Sequence, residues 1–176
     1  MIEKYEERRK LNIIIQRPGG TAKKGSETFK IALPSRWIRN LNLNKNKREV
    51  IASYDGEKIV IMPLIPLDQF ISRRTGKGNE IKFYRFYNGS RLCSEFCVDL
   101  TDKEIRVVNH TDKRNEMVFG SDPVPTWSQY ISFLKYRTDI ELWNGKSEEE
   151  LIEIADGSGG RRGDDSFWFS SARYGG

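Results

Sequence analysis

The chain is poor in the residues on which catalysis and cross-linking usually depend. Histidine occurs once, at His110, and cysteine twice, at Cys93 and Cys97. A single imidazole beside one thiol pair argues against a zinc or redox site. The two cysteines lie four apart in a stretch that reads as strand. There they would stand ~13 Å apart at about 3.3 Å per residue, and a disulfide needs Cα atoms within about 7 Å. They read as two ordinary thiols. Long apolar runs are also missing: nothing approaches the ~18 apolar residues of a membrane span. The longest, Ile13-Ile14-Ile15 and Ile59-Val60-Ile61, are strand-sized. The acidic start, with Glu3, Glu6 and Glu7, has no apolar leader. The expectation is a soluble cytoplasmic protein with no signal peptide and no membrane association. No internal repeat is visible.

What is present suffices for folded structure. Of 176 residues, 37% are hydrophobic and 11% aromatic, which excludes wholesale disorder and leaves room for two small domains. The formal charge is +5, and it is unevenly placed. Residues 1–66 hold 14 Lys and Arg against 7 Asp and Glu, a balance of +7. Residues 67–176 hold 16 against 18, a balance of −2. A basic first third suggests a polyanion partner for that part.

Residues 12–16 read as a buried strand of β-branched side chains. The segment Arg17-Pro18-Gly19-Gly20-Thr21-Ala22-Lys23-Lys24-Gly25-Ser26 is a basic loop punctuated by Pro and Gly. Residues 27–33 alternate, with Phe29, Ile31 and Leu33 on one face and Lys30 on the other, so they predict a half-buried strand. After Pro34 and Ser35, the apolar stripe of Trp37, Ile38 and Leu41 predicts a short helix carrying Arg36 and Arg39 off the stripe. Strands at 50–54 and 58–62 flank Asp55-Gly56, a hairpin signal. Residues 67–79 read as a polar, Gly-containing linker. A second unit, 80–176, opens as a β-meander with turns at Asn88-Gly89 and Thr101-Asp102-Lys103. Two helices are announced by capping boxes at Thr126 and Ser147, and Phe167-Trp168-Phe169 is expected to dock back as a strand.

The ordered set over residues 12–63 resembles the AbrB/MazE-like swapped-hairpin family. The residues that carry it run from Gly25-Ser26-Glu27-Thr28-Phe29-Lys30-Ile31-Ala32-Leu33-Pro34-Ser35-Arg36-Trp37-Ile38 through Leu41-Asn42-Leu43 to the hairpin at 50–61. Asn42 stands where the family usually has Gly, and Asn tolerates the left-handed conformation of a helix end. The resemblance implies an obligate homodimer whose hairpins interleave into one small barrel, and binding of double-stranded DNA. By position, the residues that inherit DNA contact are Arg17, Lys23, Lys24, Lys30, Arg36 and Arg39. It also implies a transcription regulator or the antitoxin of a toxin–antitoxin pair. The C-terminal part, 80–176, carries no such resemblance.

The expected fold is therefore α+β and mainly β: a swapped-hairpin dimeric barrel over 1–66, then a β-meander with two short helices. The expected function is that of a homodimeric, sequence-specific DNA-binding regulator without cofactor, metal or enzymatic activity. A toxin or other protein is the expected partner for the C-terminal unit. The first alternative is an antitoxin-type module that neutralises a partner with little DNA binding. The second is a small metal-dependent nuclease built on Asp99, Asp102 and Glu104, although acidic residues beside a turn are common without any such role. His110 reads as an exposed turn residue, and the Gly157–Gly163 segment as a loop that lacks the Lys-Ser/Thr ending of a phosphate loop. Phe83, Tyr84, Phe86 and Tyr87 fit core packing better than base stacking.

Overall fold

The computed structural model describes residues 7–16, 27–138 and 145–172. The fold is α+β, with all its sheets small and antiparallel. The chain divides into two compact units, Met1–Leu64 and Ile65–Gly176.

The first unit consists of two hairpins and a short helix. Strand β1 (Ile13–Gln16) pairs with β2 (Thr28–Ile31), setting Ile13 opposite Ile31 and Ile15 opposite Phe29. Pro34 precedes helix α1 (Ser35–Asn40). The helix ends in a Schellman pair: Leu43 N–H donates to the Ile38 carbonyl at 3.0 Å and Asn42 N–H to the Arg39 carbonyl at 2.9 Å. Asn42 takes φ +57 to make that reversal, the conformation its side chain tolerates. Strands β3 (Val50–Tyr54) and β4 (Ile59–Pro63) pair across a four-residue turn. Asp55 closes it, its carboxylate accepting the Glu57 and Lys58 amides at 3.1 Å.

Two burial expectations fail here. Residues 12–16 were expected to be buried and 27–33 half-buried, yet Ile13 is 64% and Phe29 61% exposed. The alternation that shapes these strands is present, but among the described residues nothing buries their apolar face.

The second unit has a four-stranded sheet in the order β7-β6-β5-β9. Its strands are β5 (Ile81–Asn88), β6 (Arg91–Asp99), β7 (Glu104–Asn109) and β9 (Phe167–Ala172). Residues 81–109 form the expected meander, and the Phe167 segment docks along β5 with Phe86 opposite Phe169. Helices α3 (Trp127–Arg137) and α4 (Glu148–Ser158) cover one face. Both capping boxes are formed, Thr126 with Gln129 and Ser147 with Glu150. Under the helices, Tyr84, Phe96, Val98, Ile105, Tyr130 and Leu134 are almost fully buried. A short strand β8 (Val118–Ser121) lies outside the sheet.

The expected linker 67–79 begins with a helix instead, α2 (Leu67–Thr75). Leu67, Phe70 and Ile71 fall at i, i+3 and i+4, so one stripe packs on Phe83 and Cys97 on the sheet's other face. The second unit consequently starts at Ile65 rather than at residue 80.

Candidate nucleic-acid interface

The register of β1 and β2 sorts their side chains onto two chemically distinct faces. Opposed residues of an antiparallel pair share a face. One face therefore carries Ile13, Ile15, Phe29 and Ile31, all apolar and all 46–64% exposed. The other carries Ile14, Gln16, Thr28 and Lys30. Lys30 is thus exposed on the polar side, as its alternation with Phe29 and Ile31 indicates.

Arg36 and Arg39 project from α1 and are exposed. Among the described residues, Lys30, Arg36 and Arg39 form no ion pair, although Arg36 is close enough to the Glu7 carboxylate to help lower it. Arg17, Lys23 and Lys24 lie outside the described residues. The segment before β1 adds a feature that composition did not single out. Glu7 accepts a hydrogen bond from the Trp37 indole at 2.9 Å and pairs with Arg9 at 2.8 Å, and Arg9 lies 6.0 Å over the Trp37 ring. The Trp37 bond and then Arg9 hold the Glu7 carboxyl below its usual value. Arg9 is thereby fixed beside α1 as one half of an ion pair with Glu7.

Next to these cations is an apolar groove of about 570 Å³, lined by Leu33, Trp37, Ile38, Leu41, Val50 and Ile61 among others. Val50, Ile59 and Ile61 of the second hairpin are 37–69% exposed. Leu43, beneath the helix end, is the one buried side chain of this unit among the described residues.

In the second unit, the carboxylates considered for a metal converge on an arginine. Arg74, from the end of α2, pairs with Asp102, with Glu104 at 2.6 Å and with Asp99 at 3.5 Å. Asn79 donates to Asp99 at 2.7 Å and to Asp102 at 3.0 Å. Asp99, fully buried, also accepts the Thr101 and Asp102 amides at 3.0 Å. The arrangement closes a turn around a guanidinium, and among the described residues no group of carboxylates, His and Cys is spaced to hold a metal ion. Arg74 lies in the polar stretch that reads as a linker, and no local spacing ties it to residues 99–104.

His110 bonds to Glu95 at 2.9 Å, and Glu95 in turn takes Arg85 at 3.1 Å. Cys93 and Cys97 are free and buried. Burial, and then Asp99 nearby, push the Cys97 thiol up to about 12, which keeps it protonated. Tyr84 and Tyr130 meet hydroxyl to hydroxyl at 3.3 Å inside the core, and burial raises both phenols. Among the described residues no helix is long and apolar enough to cross a membrane. Set against family models, curated proteins and solved structures, the chain matches none of them.

Proposed function

We propose that this chain is a homodimeric regulator that binds double-stranded DNA through its N-terminal unit. One observation carries the reading: a wholly apolar, exposed strand face whose reverse side carries Lys30. Two-stranded hairpins are marginal by themselves in water. Covering Ile13, Ile15, Phe29 and Ile31 would contribute about 1 kcal/mol each, because roughly half of each is exposed. A second copy supplies a matching surface in the two hairpins and the groove between α1 and β4. In this reading the hairpins of two copies interleave into one small barrel, as in the family the sequence resembles.

The barrel's outer side then presents Lys30, Arg36 and Arg39 from each copy, with Arg17, Lys23 and Lys24 in the segment between β1 and β2. Lysines neutralise phosphates and release counterions, which makes affinity fall steeply with salt. Arginines at the α1 end can also take guanine edges two bonds at a time, which supplies sequence preference. The same reading leaves the C-terminal unit for a protein partner.

The test joins light scattering with fluorescence anisotropy on a library of duplex DNA. A dimer is expected, with affinity falling linearly in log salt. Lys30→Ala with Arg36→Ala and Arg39→Ala should weaken duplex binding without changing the dimer. A stable 20.5 kDa monomer at micromolar concentration would overturn the assembly. Unchanged affinity in the triple variant would place the contacts elsewhere.

A further inference from the structure

The C-terminal unit is net acidic, yet one end of it gathers arginines against aromatic rings. A groove of about 580 Å³ runs between the end of α3 and the segment 161–164, lined by Lys135, Tyr136, Arg161, Arg162 and Asp164 among others. That volume lies within the range of about 300–1,000 Å³ common for ligand sites. Arg161 lies 4.4 Å over the Trp168 ring, and Tyr87 stacks on the same ring at 4.4 Å and 12°. With Tyr87 on one face of the indole, the guanidinium takes the other, giving a Tyr–Trp–Arg stack. Arg162 lies 4.7 Å over Tyr136, whose side chain is 61% exposed.

The segment bearing these arginines is held firmly. Arg137, 3% exposed, donates to the Gly160 carbonyl at 2.8 Å, to the Phe167 carbonyl and to both oxygens of Asp165. Gly160 has φ +58, and a Cβ there would meet the Phe169 ring at 2.1 Å, so only glycine lets the chain pass. Arg162 is fixed by a two-pronged pair with Asp164 at 2.9 and 3.0 Å and by the Tyr136 carbonyl at 3.0 Å. Arg161, by contrast, makes no ion pair among the described residues and is exposed. Among the described residues, Arg137 and Arg162 hold Asp165 and Asp164, and Arg161 stands beside them without a carboxylate partner.

We propose that this groove binds single-stranded nucleic acid. A guanidinium plane resting on an aromatic ring is weakly hydrated, and Arg161, which makes no ion pair among the described residues, can offer its in-plane N–H groups to phosphate oxygens. An exposed tyrosine beside them offers a face to an unpaired base, and such stacking tolerates any sequence. A duplex hides its base faces, so Tyr136 distinguishes a single strand from the double-stranded target proposed for the N-terminal unit. In this assignment Arg161 takes phosphate, Tyr136 takes a base, and Arg162 and Arg137 hold the platform in place.

The experiment uses the full chain and a fluorescein-labelled 12-nucleotide oligothymidylate followed by anisotropy. The wild type should bind with an affinity that falls with salt. Tyr136→Ala should weaken binding about tenfold at fixed salt, and Tyr136→Trp should restore it. Arg161→Ala should weaken binding and flatten the salt slope. Both positions are exposed, so melting curves should match the wild type. Neither change should alter duplex binding, and Lys30→Ala with Arg36→Ala and Arg39→Ala should leave oligothymidylate binding intact. Absence of oligothymidylate binding would overturn the proposal. So would its loss in the N-terminal triple variant alone, or heparin competing equally well against wild type and Tyr136→Ala, since a polyanion without bases would then be the preferred ligand.

Discussion

Before Ile65, Leu43 is the one buried side chain among the described residues, whereas the unit from Ile65 onward buries two separate clusters on the two faces of its sheet. Both units alternate apolar and polar residues, and both form antiparallel strands. The difference lies in the helices. Three helices cover the second unit's sheet, and their apolar stripes meet Tyr84, Phe96 and Phe83. Among its described residues, the first unit has one helix of six residues and two hairpins that share no ladder. A unit of that size rarely stabilises itself by its own core. Among the described residues its apolar strand face stays uncovered, and Lys30 lies on the reverse side.

The sharpest way to break this contrast is to damage one residue in each unit. Phe96 is fully buried and stacks on Tyr84 at 4.8 Å. Phe96→Ala should remove about 3–5 kcal/mol from the C-terminal unit. Phe29 is 61% exposed. Phe29→Ser should leave that unit's urea transition unchanged while converting dimer to monomer in light scattering. If Phe29→Ser lowered the C-terminal transition as well, the two units would not be independent.

A smaller effect separates the units by pH. Arg137, through its hydrogen bond first, holds the Asp165 carboxyl below the ordinary Asp value of 3.8. The folded state thus favours the ionised form. The stability this contributes is complete above the unfolded value and disappears as the pH falls through the folded one. Asp165→Asn should flatten the acid limb of the C-terminal unit's stability curve. Arg137→Met should remove about 2–3 kcal/mol at neutral pH, since carbonyls of Gly160 and Phe167 lose a charged donor. Identical acid limbs for wild type and Asp165→Asn would show that this pair does not govern acid unfolding.

The elements with strong local signals were readable in advance. Thr126 and Ser147 each begin a capping box three residues before Gln129 and Glu150, and both helices start there. Asp55 and Asn88 mark hairpins, and the aromatic burst at Phe167 docks as a strand. Helix α2 escaped because its stripe is only Leu67, Phe70 and Ile71, followed at once by Ser72-Arg73-Arg74-Thr75-Gly76, a polar run that reads as connection. Alternation in β1 and β2 marks a face as apolar but does not say what covers it, so it cannot by itself predict their burial. For the candidate interface, Lys30's side of the strand followed from period two. Arg9's place beside Trp37 did not, because Glu7 and Trp37 are 30 residues apart. Likewise Arg161 and Trp168 meet only once α3, Gly160 and β9 are placed together, which no spacing encodes.

The smallest effect probes the local geometry that survives in the first unit without a core. Asn42 occupies φ +57 so that Leu43 can turn back to the Ile38 carbonyl at 3.0 Å. Glycine adopts that conformation freely, whereas a Cβ without a polar tip is disfavoured by about 1–2 kcal/mol. Asn42→Gly should change the N-terminal unit's thermal midpoint only slightly, and Asn42→Ala should lower it by an amount equivalent to about 1 kcal/mol. The C-terminal transition should not move in either variant. Because α1 carries Arg36 and Arg39, Asn42→Ala should also weaken duplex binding modestly by loosening the helix end, with the salt slope unchanged because no cation is removed. An equal loss in Asn42→Gly and Asn42→Ala would mean that the asparagine side chain, rather than its backbone conformation, serves that corner.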